Sequence, residues 1–326
     1  MLRRPYLAGC LAAALSLAAS AASAASAETY PARPIRLVVP YAAGGGVDIV
    51  ARSVGQKMSV LLKQPIIVDN RPGASTNIGM EAVAKAAPDG YTIMMASNSL
   101  ATNAALFAKL PFDPARDFMP VARVGQASLV LVVPAKSSVA SLKGLVSQAQ
   151  AQPGKLSYAS AGNGSSGHLA GELFKEAAHI DVLHVPYKGG APAIIDLLGE
   201  RISFMPINPL EVITHIRAGT LRAIAVASDQ RTPLLPDVPT SREQGLPGFT
   251  ASVWWGLVAP AKTPPAVVHA LNTAANAALG DPDVRKQLAQ LGVTILPGTP
   301  EAFGQFVRGE TTTWNGVIRK AGITAD

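Results

Sequence analysis

Two short stretches hold the residues whose types and spacing best suit chemistry. The first reads Pro40-Tyr41-Ala42-Ala43-Gly44-Gly45-Gly46-Val47-Asp48, and the second reads Ser160-Ala161-Gly162-Asn163-Gly164-Ser165-Ser166-Gly167-His168. Each lies where a β-branched run gives way to a helical pattern. Glycines there let backbone approach a ligand closely. The free N–H groups of the following helix point outward, with the positive end of its dipole behind them. Tyr, Ser and Asn add neutral donors. That chemistry is reversible capture of an anion. A single loop of this kind is equally well an ordinary tight turn. Two of them favour a ligand enclosed from both sides.

Other chemistries fit poorly. Gly162, Gly164 and Gly167 satisfy the G-x-G-x-x-G spacing, but a dinucleotide unit places an acid at the end of the next strand. Here the strand at 182–185 ends in Pro186-Tyr187-Lys188, and Asp181 sits at its start. Gly164-Ser165-Ser166-Gly167 is not a nucleophile elbow, and His168 beside it suits a polar residue at a helix start. The five histidines show no metal-ligand spacing. Cys10 is the only cysteine. No catalytic residue, cofactor or metal is therefore expected. The formal charge is +7, with Lys and Arg scattered and few aromatics between them. This argues against nucleic acid and accords with an anionic ligand or with simple solubility.

Further polar candidates follow other strands: Ser75, Thr76 and Asn77 after a Gly73-Ala74 turn, Ser97 with Asn98 and Ser99, and Tyr187 with Lys188. Carboxyl ends of strands are where α/β sheets place ligands. The alternative is ordinary polar loop. Trp254-Trp255 reads as core or hinge packing.

The elements that must position these residues alternate strand and helix, which predicts a parallel α/β fold. Strands are expected at 35–39, 65–68 and 91–96, and a helix at 47–62. Pro264-Pro265, Pro282 and Pro300 each open a helix near the C-terminus. Residues 130–137 echo residues 256–263, both strands leaving into a Pro-Ala-Lys turn. Such a pair could carry the chain from one lobe to another and back. Residues 129–251 would then form one lobe, inserted between 28–128 and 252–326 of the other. Ahead of both, Arg3-Arg4, an Ala/Leu-rich run and Ala25-Ser26-Ala27 read as a signal peptide over residues 1–27 and predict a periplasmic protein. Leu7-Ala8-Gly9-Cys10 spells a lipobox, but most of the apolar run follows Cys10, which disfavours lipidation.

Taken in order, these stretches resemble the extracytoplasmic solute receptors of the tripartite tricarboxylate transporter system, the Bug family. The landmarks include Pro31-Ala32-Arg33-Pro34-Ile35, Asp69-Asn70-Arg71-Pro72-Gly73-Ala74, Pro88-Asp89-Gly90-Tyr91-Thr92, His184-Val185-Pro186-Tyr187-Lys188-Gly189 and Leu235-Pro236-Asp237-Val238-Pro239-Thr240. The resemblance spans essentially the whole chain after the signal peptide. It implies a type II periplasmic-binding-protein fold, with two hinged α/β lobes around a ligand cleft. It also implies a monomer that captures a small carboxylate and hands it to integral-membrane transporter subunits. A sensory receptor would share that clamp. On the resemblance, ligand contacts are expected at Tyr41, Ala43, Gly44 and Gly45, and at Ser75, Thr76, Asn77 and Ser97. The other lobe would supply Ser160, Asn163, Gly164, Ser165, Tyr187, Lys188, Ile207 and Asn208. The chain departs from the family in three places: Ala43 stands for a usual Pro, Ser75-Thr76 for Gly-Gly, and Pro206-Ile207-Asn208 for a Phe-Asp-Asn run. Ile207 thus removes an acid that could pair with an ammonium, which favours di- and tricarboxylates or aromatic acids over amino acids.

Overall fold

The computed structural model describes residues 30–320 and 322–325. The signal peptide expected over 1–27, with the lipidation question at Cys10, lies outside the described residues. Residues 33–326 form one compact unit. Its strands are β1 (Ile35–Val39), β2 (Ile66–Asn70), β3 (Thr92–Ala96), β4 (Phe118–Ser128), β5 (Val130–Pro134), β6 (Ser157–Ser160), β7 (Leu183–Pro186), β8 (Met205–Ile207), β9 (Leu221–Val226), β10 (Ser252–Pro260) and β11 (Thr294–Ile295).

The first lobe is built on a six-stranded sheet in the order β11-β4-β10-β3-β1-β2. In β1, Ile35, Leu37, Val38 and Val39 are all buried. A continuous apolar run of this kind marks a strand covered on both faces, and β1 indeed pairs in parallel with β2 and β3. Covering helices are α1 (Gly46–Leu62), α2 (Asn77–Ala84) and α3 (Ser99–Leu106). The expected parallel pattern stops at β10, which runs antiparallel to both β3 and β4. The reason lies in connectivity. Parallel neighbours need a crossover helix between them, whereas β4 leaves this lobe and β10 returns to it, so the two lie side by side head to tail. Trp254 in β10 packs edge-on against Phe303 and Phe306, and Trp254 and Trp255 are both buried, as core packing requires.

The second lobe holds β5 between β8 and β9, all antiparallel, beside the parallel pair β6–β7. Ala159 N–H donates to the Phe204 carbonyl and links the pair to the strand edge before β8. Val130, Val132, Met205, Ile207 and Val226 sit in its apolar core. Its helices are α4 (Leu142–Ala151), α5 (Ser166–Ala178), α6 (Gly190–Leu198) and α7 (Pro209–Arg217). The C-terminal helices return to the first lobe: α8 (Pro265–Gly280), α9 (Pro282–Gln290) and α10 (Pro300–Lys320). Each opens on the proline that marked it in the sequence. Asp281 adds a side-chain cap, accepting from the Asp283 and Val284 N–H groups.

The chain passes between the sheets at residues 128–130 and again at 251–252. There Leu129 N–H donates to Ala251, Ala251 N–H to Ala227 and Ala227 N–H to Leu129, at 2.8–3.0 Å. The two echoed segments do not pair with each other: β5 belongs to the second sheet and β10 to the first. The out-and-back pair is β4 and β10.

Candidate functional site

The first glycine loop joins β1 to α1. Asp48, in the first turn of α1, turns back and accepts from the Gly44 N–H at 2.9 Å, from Arg52 at 2.9 Å and from Asn70 at 3.0 Å. Burial opposes its charge, but these donors outweigh burial and hold the carboxyl below its ordinary range. The loop is thus fixed by a charge behind it. The helix itself has no side-chain cap at Gly45, so its first N–H groups face forward into the cleft. Tyr41 is buried beside them and shares a 2.8 Å hydrogen bond with Ser99. Burial, partly offset by the hydroxyls of Ser99 and Ser97, pushes its phenol up to about 12, so it stays a neutral donor or acceptor.

The second loop joins β6 to α5. Ser165 caps α5, accepting from the His168 N–H and donating to the Gly162 carbonyl at 2.6 Å. Gly164 N–H donates to His168 Nδ1 at 3.1 Å, and Gly162 N–H to Ser160 Oγ at 3.2 Å. Ser160 is further bound to His184 Nε2 at 2.7 Å. Behind the loop, Tyr158, His184 and His168 stack at centroid spacings of 4.8 and 4.2 Å. Burial lowers the pKa of His168 to about 4 and, helped by the neighbouring ring, that of His184 to about 3, so both are neutral.

The lobes touch across the cleft. Ala42 N–H donates to the Lys188 carbonyl at 3.1 Å, and Thr102 Oγ1 donates to the Gly164 carbonyl at 2.9 Å. Between these contacts lies a small cavity of about 30 Å³, room for a water or two. Five expected residues line it: Tyr41, Gly45, Ser97, Ser165 and Asn208. Ser75, Thr76, Tyr187 and Lys188 line a second cavity of about 40 Å³ that shares Tyr41 and Ala161 with the first. The other expected residues lie in neither. Ala43 and Gly44 are exposed. Asn77 accepts from Asn103 at 2.8 Å in a buried network under the Ser75 turn. Ser160 is spent on Gly162 and on His184 of β7, Gly164 N–H is taken by His168, and Asn163 is partly exposed beside them. Ile207 points into the core of the second lobe, not into the cavity.

One lining residue went unread: Glu211, in the first turn of α7. Asn208-Pro209-x-Glu211 has the pattern of a helix start, with the acid three residues past the cap, where a capping role is the default reading. In the structure Asn208 makes no side-chain cap bond to α7. Instead Asn208 Nδ2 donates to Glu211 Oε1, and the Gly46 N–H of the other lobe donates to the same carboxylate. Only the approach of α1 reveals this, because the two partners are far apart in sequence. Burial, opposed by those two donors, pushes the Glu211 carboxyl up to about 7. So an acid does line the cleft, from α7 and not from position 207.

Comparison with known proteins agrees with this architecture. Residues 50–323 match the family model described as the tripartite tricarboxylate transporter family receptor. BugT of Bordetella pertussis is 40% identical over 298 residues, covering 91% of each chain. Among solved structures, an R. palustris protein determined with adipate is 34% identical with a TM-score of 0.87, covering 90% of this chain and 99% of its own. MatC of Rhodopseudomonas palustris, determined with bound malate, is 34% identical with a TM-score of 0.85, covering 89% and 100%. The two-lobed periplasmic-binding architecture and the site between its lobes thus come with a family identity: the chain belongs to the tripartite tricarboxylate transporter receptor family, whose members bind solutes and are not enzymes.

Proposed function

We propose that this protein is an exported periplasmic receptor that captures a small di- or tricarboxylate, or an aromatic acid, by closing its lobes on it. The observation that carries this is the convergence of uncharged polar groups from both lobes on one cavity: Tyr41, Ser97 and the locally uncapped start of α1 from the first, Ser165 and Ser166 from the second. Such a wall suits an anion, and the adipate and malate of two similar proteins support a carboxylate. Hydrogen bonds to a charged group contribute roughly 1.5–3 kcal/mol each, so a few account for micromolar binding at about −8 kcal/mol. The proposed lobes are 28–128 with 252–326, and 129–251. Closure is a rotation about the Leu129, Ala227 and Ala251 crossing, which the ligand favours by touching both sides. Removal of the signal peptide near Ala27 and delivery by the monomer to membrane subunits of a tripartite transporter complete the reading. Its test is a thermal-shift screen of the protein against mono-, di- and tricarboxylates and aromatic acids, followed by calorimetry. One saturable, stabilising acid is expected. A folded protein that no acid stabilises would overturn the proposal.

A further inference from the structure

Glu211 and Asn208 form a built acceptor pair inside the cleft. The first-lobe glycine below them is indispensable to that fit. A Cβ at Gly46 would come within 2.7 Å of Asn208 Nδ2 and 2.9 Å of Glu211 Oε1. On the other side, any side chain at Gly190 would run into Glu211 Oε2. Two missing side chains, one at the start of α1 and one at the start of α6, thus hollow out the place this carboxylate fills. Within it, Oε1 is taken by Asn208 Nδ2. Glu211 Oε2 and Asn208 Oδ1 are sealed from solvent and have no hydrogen-bond partner among the described residues. Asn208 is 7% exposed, and Glu211 is exposed only in part. Leaving a buried acceptor unpaired is costly, and native structures rarely do so without a functional reason. With the Glu211 carboxyl ionised, two such oxygens, on side chains that line the cavity with Tyr41, Ser97 and Ser165, call for a donor.

We infer that Glu211 and Asn208 select ligands that carry a hydrogen-bond donor, a hydroxyl or an ammonium, beside the captured carboxylate. This rests on the receptor reading above and narrows it to 2-hydroxy and 2-amino acids. The neutral donors of the cavity take the ligand carboxylate, and the two orphan oxygens take the neighbouring group. An unsubstituted acid would leave both oxygens unpaired, so it binds more weakly. Glu211 forms no ion pair with Lys or Arg among the described residues, so an ammonium would meet no competing cation there. Amino acids, which Ile207 alone argued against, are thereby readmitted.

The experiment uses matched ligands that differ only at the carbon beside the carboxylate. These are succinate, malate and aspartate; glutarate, 2-hydroxyglutarate and glutamate; propionate, lactate and alanine; and phenylpropionate, phenyllactate and phenylalanine. Each is titrated calorimetrically into wild type and into E211Q. On whichever skeleton binds, the hydroxyl or amino member is expected to bind at least about tenfold tighter than the unsubstituted acid. In E211Q that ratio is expected to shrink to about threefold or less. Preference for the amino member identifies the donor as an ammonium, and preference for the hydroxy member identifies it as a hydroxyl. An unsubstituted acid that binds as tightly as its partners, or a tenfold ratio that survives in E211Q, overturns the inference and leaves the receptor reading standing. No binding anywhere in the panel overturns both. Should E211Q fail to fold, Asn208→Ser provides the same ratio measurement.

Discussion

The two glycine loops share a sequence signature and a place between strand and helix, yet they spend their donors differently. The first is anchored from behind by Asp48 and leaves the start of α1 uncapped, with Gly46 N–H bonded only across the cleft to Glu211. The second closes on itself: Gly162, Gly164 and His168 N–H groups are all taken by Ser160, His168 and Ser165 of the same loop. An anion site therefore needs more than glycines before a helix. It needs the helix start to be free of a local cap, as the first loop leaves it at Gly45 and the second does not at Ser165. The second loop serves as a rigid wall, presenting Ser165 and Ser166, more than as an open cradle.

Breaking the open loop should have the largest effect. Gly46→Ala puts a methyl where Asn208 and Glu211 lie, at a residue whose backbone is helical and tolerates alanine. We expect ligand affinity to fall about a hundredfold or more, as the lobes can no longer meet. Calorimetry checks the affinity and small-angle scattering the opening; unchanged affinity would mean the first loop does not close on its ligand.

The wall behind the second loop should fail in acid. His168 and His184 are held neutral, with pKa values lowered from 6.5 to about 4 and about 3. Their contribution is complete above pH 6.5 and is lost as pH falls toward 4 and below, because the unfolded chain takes up those protons first. The melting temperature of wild type should drop over that window, and that of a double variant with Asn at both positions should drop less. Parallel curves for the two proteins would remove the stack from any part in acid stability.

The smallest effect sharpens the comparison within the second loop. Both Ser160→Ala and Ser165→Ala should cost about 1 kcal/mol of stability, the latter through its helix cap. Only Ser165 lines the cavity, where its hydroxyl also fixes the loop wall through Gly162 and His168, so its variant should bind ligand about tenfold more weakly. The Ser160 variant should stay within about threefold, since that hydroxyl is occupied by His184 and Gly162. Equal losses in calorimetry would return Ser160 to the ligand's contacts.

Much of this was legible from residues alone. The alternation of β-branched runs and helical patterns specified an α/β fold, and the prolines at 265, 282 and 300 marked helix starts because ring geometry and a missing N–H act locally. That the two loops, Tyr41 and Ser97 lie along the cleft was legible for the same reason: strand ends and glycines fix where backbone donors emerge. What the tertiary structure alone decided is which of those donors remain free. Ser160 and Gly164 were lost to partners in the loop and the histidine stack, and Ile207 to the core. Glu211 was gained because α1 and α6, distant in sequence, meet over it. Local rules tell where a polar group can point, but whether it is spent depends on long-range packing. That long-range packing sets the direction of β10 beside β4 and the acid in the cleft alike.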